Sequence, residues 1–182
     1  MVTLTIERDL DLTEIIDGEE VVSPSPLRKH QKITKKLGII INHHVEAKGL
    51  GELYFSPLDV ILEEGMNRLQ PDILFIRKEN AAIEQDWIRG VPDMVCEIVS
   101  HGTYKMDMVV KRILYEKYKV PEYWIVVPEL NAIEILTLED HKYKTHSIAE
   151  IDGVVTSMVI EGLQVSIKDI FEDYQKLERI SI

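Results

Sequence analysis

The stretch Val91-Pro92-Asp93-Met94-Val95-Cys96-Glu97-Ile98-Val99-Ser100 decides how the rest of the chain is read. Side chains alternate along a strand, so Asp93, Val95, Glu97 and Val99 share one face while Met94, Cys96 and Ile98 take the other. Apolar residues on both faces predict a strand inside a sheet rather than at its edge. Glu97 is then an acid beside a core, where an unpaired charge is costly to bury. Upstream, Pro71-Asp72-Ile73-Leu74-Phe75-Ile76 sets a second acid at the start of another apolar run. Periodicity alone leaves two readings of this pair open. They are ordinary acids near strand ends, solvated or paired with lysine, or they are carboxylates gathered into a site.

Outward from these strands, Leu27 to about Lys48 has helical spacing, with Ile33, Leu37, Ile40, Ile41 and His44 on one stripe. Ser23-Pro24-Ser25-Pro26 leads into it, and Gly49 and Gly51 end it. His30 falls on the apolar stripe, whereas Glu46 lies about 160° away and is set aside as a third acid. Leu53 to Leu62 reads as one or two antiparallel strands, and Arg77 to Gly90 as a loop. Tyr104 to Lys119 is helical; Glu122 to Val127, Ala132 to Leu138 and Lys142 to Ile148 are strands. A strand near Val154 to Ile160 and a short helix from about Ile167 follow. Strands on both sides of the Tyr104 to Lys119 helix predict an α/β fold, a mixed sheet flanked by helices.

At 182 residues, without repeats or long linkers, the chain is expected to form one domain over residues 1–182. The single cysteine, Cys96, excludes an internal disulfide and suits a reducing compartment. The opening MVTLTIERDLDLTE lacks a basic start followed by an apolar core, and no apolar run approaches a bilayer span. A cytoplasmic protein with no membrane association is expected. The net charge of −11 argues against loose, charge-driven binding to nucleic acid. One local exception is the group Arg28, Lys29, Lys32, Lys35 and Lys36, with no acid among them. It reads equally as a solvated helix face or a basic surface.

Lys111 tips the weighing of the two acids. On the Tyr104 to Lys119 helix it lies about 40° from both Asp107 and Tyr115, and Leu114 and Tyr118 are near neighbours. This is not a plainly solvated face. The lysine either pairs with Asp107 as a helical ion pair or points into a site where two acids need a cation. Two carboxylates with Mg²⁺ hold a phosphate well, because Mg²⁺ takes a few carboxylates and keeps positions for phosphate oxygens and water. A nearby lysine then orients or activates that water and offsets charge at phosphorus.

The runs Gln70-Pro71-Asp72-Ile73-Leu74-Phe75-Ile76 and Gly90 to Ser100 resemble the Uma-two family of restriction-endonuclease-like proteins. So do Asp107, Lys111 and Tyr115 in four-residue steps, Val120-Pro121-Glu122-Tyr123-Trp124-Ile125-Val126-Val127-Pro128, and Gly18-Glu19 followed by Ser23-Pro24 and His30. The resemblance runs from about Asp17 to Phe171. It implies the PD-(D/E)XK nuclease superfamily, a restriction-endonuclease-like core and metal-dependent phosphodiester hydrolysis. By position it makes Asp72 and Glu97 the metal-holding acids for Mg²⁺ or Mn²⁺ and Lys111 the catalytic lysine. His30, Asp107 and Tyr115 become neighbours of that site or of its substrate. Val99 stands where the superfamily usually has lysine, so Lys111 is read as that lysine moved to a helix. His101 and Val127 also depart from the family pattern, at positions where proline and aspartate are common. DNA is the implied substrate, and a homodimer the expected assembly, since two copies can cut two strands. Two alternatives stand beside this: a nuclease-fold protein that binds nucleic acid or assembles without turnover, and a hydrolase of small phosphate esters.

Overall fold

The computed structural model describes residues 12–22 and 24–171. The expectations for the first eleven residues, for Ser23 and for the helix beyond Phe171 lie outside the described residues.

The strands are β1 (Thr13–Ile16), β2 (Glu19–Val22), β3 (Gly51–Phe55), β4 (Val60–Glu63), β5 (Asn67–Leu69), β6 (Ile73–Arg77) and β7 (Ile88–Arg89). They continue with β8 (Met94–Ile98), β9 (Glu122–Val127), β10 (Ala132–Glu139), β11 (Lys142–Glu150), β12 (Val154–Thr156) and β13 (Gln164–Ser166). Helix α1 spans Arg28–Lys48, and a π-helical segment, Met106–Lys111, runs into α2, Arg112–Lys117. The main sheet has the order β11-β10-β9-β8-β6-β3. Strand β8 lies inside it, antiparallel to β6 and parallel to β9, and all of its residues are buried. Parallel neighbours cannot be joined by a hairpin, and the π-helical segment with α2 makes the crossover.

Helix α1 lies on one face of this sheet because its buried residues Ile33, Leu37, Ile41 and Val45 recur every four residues. They pack with Met94, Cys96 and Ile98, the α1-facing side of β8. Gly49 ends the helix in the left-handed region, at φ 61°, and its N–H returns to Glu46 O. Val95 and Val99 point the other way, into a second core with Leu114, Tyr115, Tyr123 and Ile125. The expected alternation along β8 therefore holds on both faces.

The expected mixed sheet flanked by helices is present, but it is not the whole fold. A second, five-stranded sheet of order β2-β1-β5-β4-β7 contributes Ile16, Val60, Leu69 and Ile88 to the second core. Its strands are two to four residues long, too short for a two-residue periodicity to stand out from the sequence. The Leu53 to Leu62 run divides between the sheets, β3 joining β6 and β4 joining β5 and β7. Pro57 lies at the division, without the N–H that a continuing ladder needs.

Glu122 shows how the core tolerates a buried acid. Its Oε1 accepts from Trp124 Nε1 at 2.7 Å and Ser157 Oγ at 2.6 Å, and its Oε2 accepts from the backbone N–H groups of Met158 and Val159. The carboxylate thus ties β9 to the 157–160 turn. Glu122→Ala removes the acceptor of all four donors, and a loss of about 3 kcal/mol or more is expected in urea unfolding. Glu122→Gln, which keeps one acceptor oxygen, should lose less.

Candidate active site

The two acids singled out in the sequence meet through strand register. Strands β6 and β8 pair Leu74 with Val95 and Ile73 with Cys96. One step further, at the end of this ladder, Asp72 comes level with Glu97, its side chain turned toward the β8 backbone and α1. The ladder ends at this step. Instead of a backbone carbonyl, the side chain of Asp72 takes the Ile98 N–H, on Oδ2 at 2.7 Å. Asp72 is held by the sheet whose edge it completes.

His30, in the first turn of α1, approaches the same Asp72 Oδ2 with Nε2 at 3.0 Å. Thr34 lies one helical turn on, 3.4 Å from His30 Nδ1, and donates to His30 O. The imidazole therefore fixes the orientation of Asp72 from the opposite element. Glu97 is held from the helical crossover. Its Oε1 accepts from Lys111 Nζ at 3.0 Å and from Tyr115 OH at 2.8 Å. The π-helical turn sets Asp107 and Lys111 on one side, and both are buried. Tyr123 OH donates to Asp107 O, tying this turn back to β9.

Lys111 is only 4% exposed, so its charge must be matched locally. Three acids do this: Glu97 and Glu14 at 3.0 Å, and Asp107 at 3.8 Å. Glu14 is a residue the sequence reading missed. It lies on β1, where burial alternates and Glu14 shares the inward face with Ile16. Its Oε1 also accepts from the Gln70 backbone N–H at 2.7 Å, two residues before Asp72. The available signal was an acid two residues before Ile16 in Thr13-Glu14-Ile15-Ile16, too short a pattern to read alone.

Four carboxyls, Glu14, Asp72, Glu97 and Asp107, share this region with one ammonium and one imidazole. Burial pushes the Glu97 carboxyl well above the usual carboxylate range; Lys111 opposes the shift, and Asp107, Asp72 and Glu14 add to it. Burial likewise pushes Asp107 up to about 6, against the pull of Lys111. Burial alone would lower Lys111, but Glu97, Glu14 and Asp107 outweigh it and hold the ammonium well above its ordinary range. Lys111 consequently stays protonated at neutral pH. It can donate hydrogen bonds and offset negative charge, but it cannot take up a proton.

Asp72, Glu97, Asp107, Lys111 and Glu14 lie at the floor of a cavity of about 550 Å³. One wall is α1, through His30, Gln31, Thr34 and Lys35; the others are Phe55 to Pro57 and the 100–103 turn. Asp72 Oδ1 and Glu97 Oε2 accept no hydrogen bond among the described residues, whereas the second oxygen of each is engaged. Among the described residues, no group of three or more His, Cys, Asp or Glu side chains is arranged to hold a metal ion. The donor set instead offers two carboxylates, an excess of negative charge and open space. That suits a hard divalent ion that keeps water and phosphate oxygens in most of its positions.

The cavity wall and floor carry opposite charge. From Val21 to Val45 the chain has no acid, although it has 32 acids in all. Lys35 is exposed on the cavity wall, and Arg28 and Lys32 are exposed on the same helix. Of the sequence-predicted residues, the structure brings His30, Asp72, Glu97, Asp107 and Lys111 to this cavity. Tyr115 lies behind it, fully buried on Glu97.

A mixed sheet whose paired acids face a buried lysine places this molecule among nuclease-like α/β folds. The chain belongs to the Uma2 family, whose family model, described as "Putative restriction endonuclease", matches residues 3–168. It is also similar to a crystal structure from Anabaena variabilis ATCC 29413, described as "a putative nuclease belonging to DUF820". The two share 21% identity and a TM-score of 0.72, over 88% of this chain and 89% of that one. A search of the curated proteins returned no match. Among the described residues, no helix is long and apolar enough to cross a membrane.

Proposed function

We propose that this protein is a metal-dependent endonuclease hydrolysing phosphodiester bonds in DNA, with Asp72 and Glu97 holding Mg²⁺ or Mn²⁺. The observation that carries this reading is the pairing of Asp72 with Glu97 at the cavity floor, each with one oxygen unengaged among the described residues, beside buried Lys111. A bound Mg²⁺ supplies positive charge to phosphoryl oxygens and makes a coordinated water more acidic. His30 and the Ile98 N–H orient Asp72, and Tyr115 and Lys111 orient Glu97. Lys111, permanently charged, donates to the attacking water or to a phosphoryl oxygen as negative charge builds there. The water oxygen bonds to phosphorus as its proton passes to solvent, Lys111 being already protonated; the bond from phosphorus to the leaving sugar oxygen breaks, and that oxygen takes a proton from solvent.

The test is cleavage of single- and double-stranded DNA and of RNA, with Mg²⁺, Mn²⁺ or chelator, by the wild-type protein and Asp72→Asn. Cleavage that needs the metal and is lost in Asp72→Asn supports the reading; cleavage unchanged in the variant refutes it. The basic wall adds a separate expectation. Lys35→Glu should weaken DNA binding at low salt and make the salt dependence shallower by about one charge, measured by fluorescence anisotropy.

A second reading is favoured by one observation: the superfamily's usual lysine position is Val99, and Lys111 is already engaged by three acids. In that reading the cavity binds nucleic acid without cutting it. Tight, salt-sensitive binding with no cleavage under any metal would select it. The homodimer belongs to the first reading, because a single site cuts one strand at a time; sedimentation equilibrium tests it.

A further inference from the structure

Phe55 is a residue that neither the acid cluster nor the family resemblance uses. It closes β3, paired with Ile73, and the next residue's N–H donates to Asp72 O at 3.2 Å. Phe55 is 41% exposed, unusual for a phenylalanine beside a core, and it lines the cavity whose floor holds Asp72 and Glu97. Its edge rests on Gly38 in the middle of α1. A Cβ at position 38 would come within 2.4 Å of Phe55 Cε1 and 2.8 Å of Cζ. Glycine inside a helix is destabilising relative to alanine, yet here it makes the seat that holds this ring upright at the cavity wall.

We infer that Phe55 is a stacking platform for an unpaired nucleobase of the substrate strand, next to the phosphate held over Asp72 and Glu97. This rests on the nuclease reading and deepens it. Three layers of the cavity agree with one occupant. The acid floor suits a metal-bound phosphate, the exposed Lys35 suits a polyanionic backbone, and the aromatic wall suits the π-face of a base. A volume of about 550 Å³ is in the range of pockets that enclose a small molecule. It matches a nucleotide rather than a duplex. The substrate is therefore taken as a single strand, a frayed end or an extruded nucleotide.

The experiment uses the full chain with Ca²⁺ in place of Mg²⁺ and short DNA strands carrying one 2-aminopurine, whose fluorescence falls on stacking. Wild type and Phe55→Trp are expected to quench the probe. Phe55→Leu, which keeps an apolar side chain without a π-face, should abolish the quenching and weaken binding at least about 5-fold. A strand with an abasic site in place of the probe should bind wild type and Phe55→Leu equally. Gly38→Ala should displace the ring and reduce the quenching while α1 stays folded, as circular dichroism would show. Full quenching by Phe55→Leu, or equal loss of affinity for the abasic strand, overturns the platform while leaving the nuclease reading intact. No binding of any strand by the wild-type protein overturns both.

Discussion

Glu97→Gln is expected to lower metal-dependent cleavage by about 10³-fold or more while leaving the fold intact. The amide keeps an oxygen able to accept from Lys111 Nζ and Tyr115 OH, so the local geometry survives. What it loses is the negative charge that the proposed function assigns to holding a divalent ion, and its nitrogen is a donor where the carboxylate offered an acceptor. Stability should not fall with activity. Burial pushes the wild-type carboxyl up against the pull of Lys111, and Asp107, Asp72 and Glu14 add to the rise, so its ionised form is disfavoured in the folded state. Removing that charge is expected to leave the thermal midpoint unchanged or raise it at neutral pH. Calorimetric Mg²⁺ titration, thermal melts and cleavage rates on the same preparation check all three. A variant that melts early, or one that still cleaves at the wild-type rate, would show that Glu97 is a structural acid.

Lys111→Met should have the largest effect on stability, a loss of about 3–5 kcal/mol at neutral pH. Methionine fills nearly the same volume, so packing is largely preserved. The cost comes from Glu97, Glu14 and Asp107, which are left buried around a side chain with no charge. Glu97 and Asp107, which burial already pushes up, then prefer to be protonated. The loss should therefore be small well below the ordinary carboxyl values of 3.8 and 4.5, where the carboxyls are protonated in both states, and grow as the pH rises. Asp107 marks this window, since burial already raises it from 3.8 to about 6 with the ammonium present. Urea unfolding of wild type and variant across this range measures it. A pH-independent difference would mean that Lys111 stabilises by its methylenes rather than by its charge.

Much of the main sheet was legible in the sequence because its strands are five to nine residues long and apolar on recognisable faces. The alternation in Met94 to Ile98 correctly assigned Met94, Cys96 and Ile98 to one core and Val95 to the other. The helical spacing of Ile33, Leu37, Ile40 and Ile41 correctly defined α1, although Val45 rather than His44 completes its buried stripe. The second sheet was not legible. Its short strands are completed by partners distant in sequence, as β1 is by β5. The Tyr104 to Lys119 helix was expected as regular α-helix, and the π-helical turn from Met106 to Lys111 was not. Asp107 and Lys111, four residues apart, share a side in an α-helix as well, so their spacing gave no sign of the rarer π turn.

The acids divide in the same way. By itself the sequence determined that Asp72 and Glu97 would sit at the margins of apolar strands, because alternation and composition are local properties. It also set the charge contrast between an acidic chain and the acid-free stretch from Val21 to Val45 that makes up most of α1. Only the tertiary structure decided that these two acids are cross-strand neighbours, that His30 reaches Asp72 from α1, and that Glu14 joins Lys111 from β1. Those pairings depend on strand register and on how two sheets and a helix pack around one cavity. A carboxylate at position 14 has no reason to be functional until folding buries it within 3.0 Å of an ammonium nearly a hundred residues away.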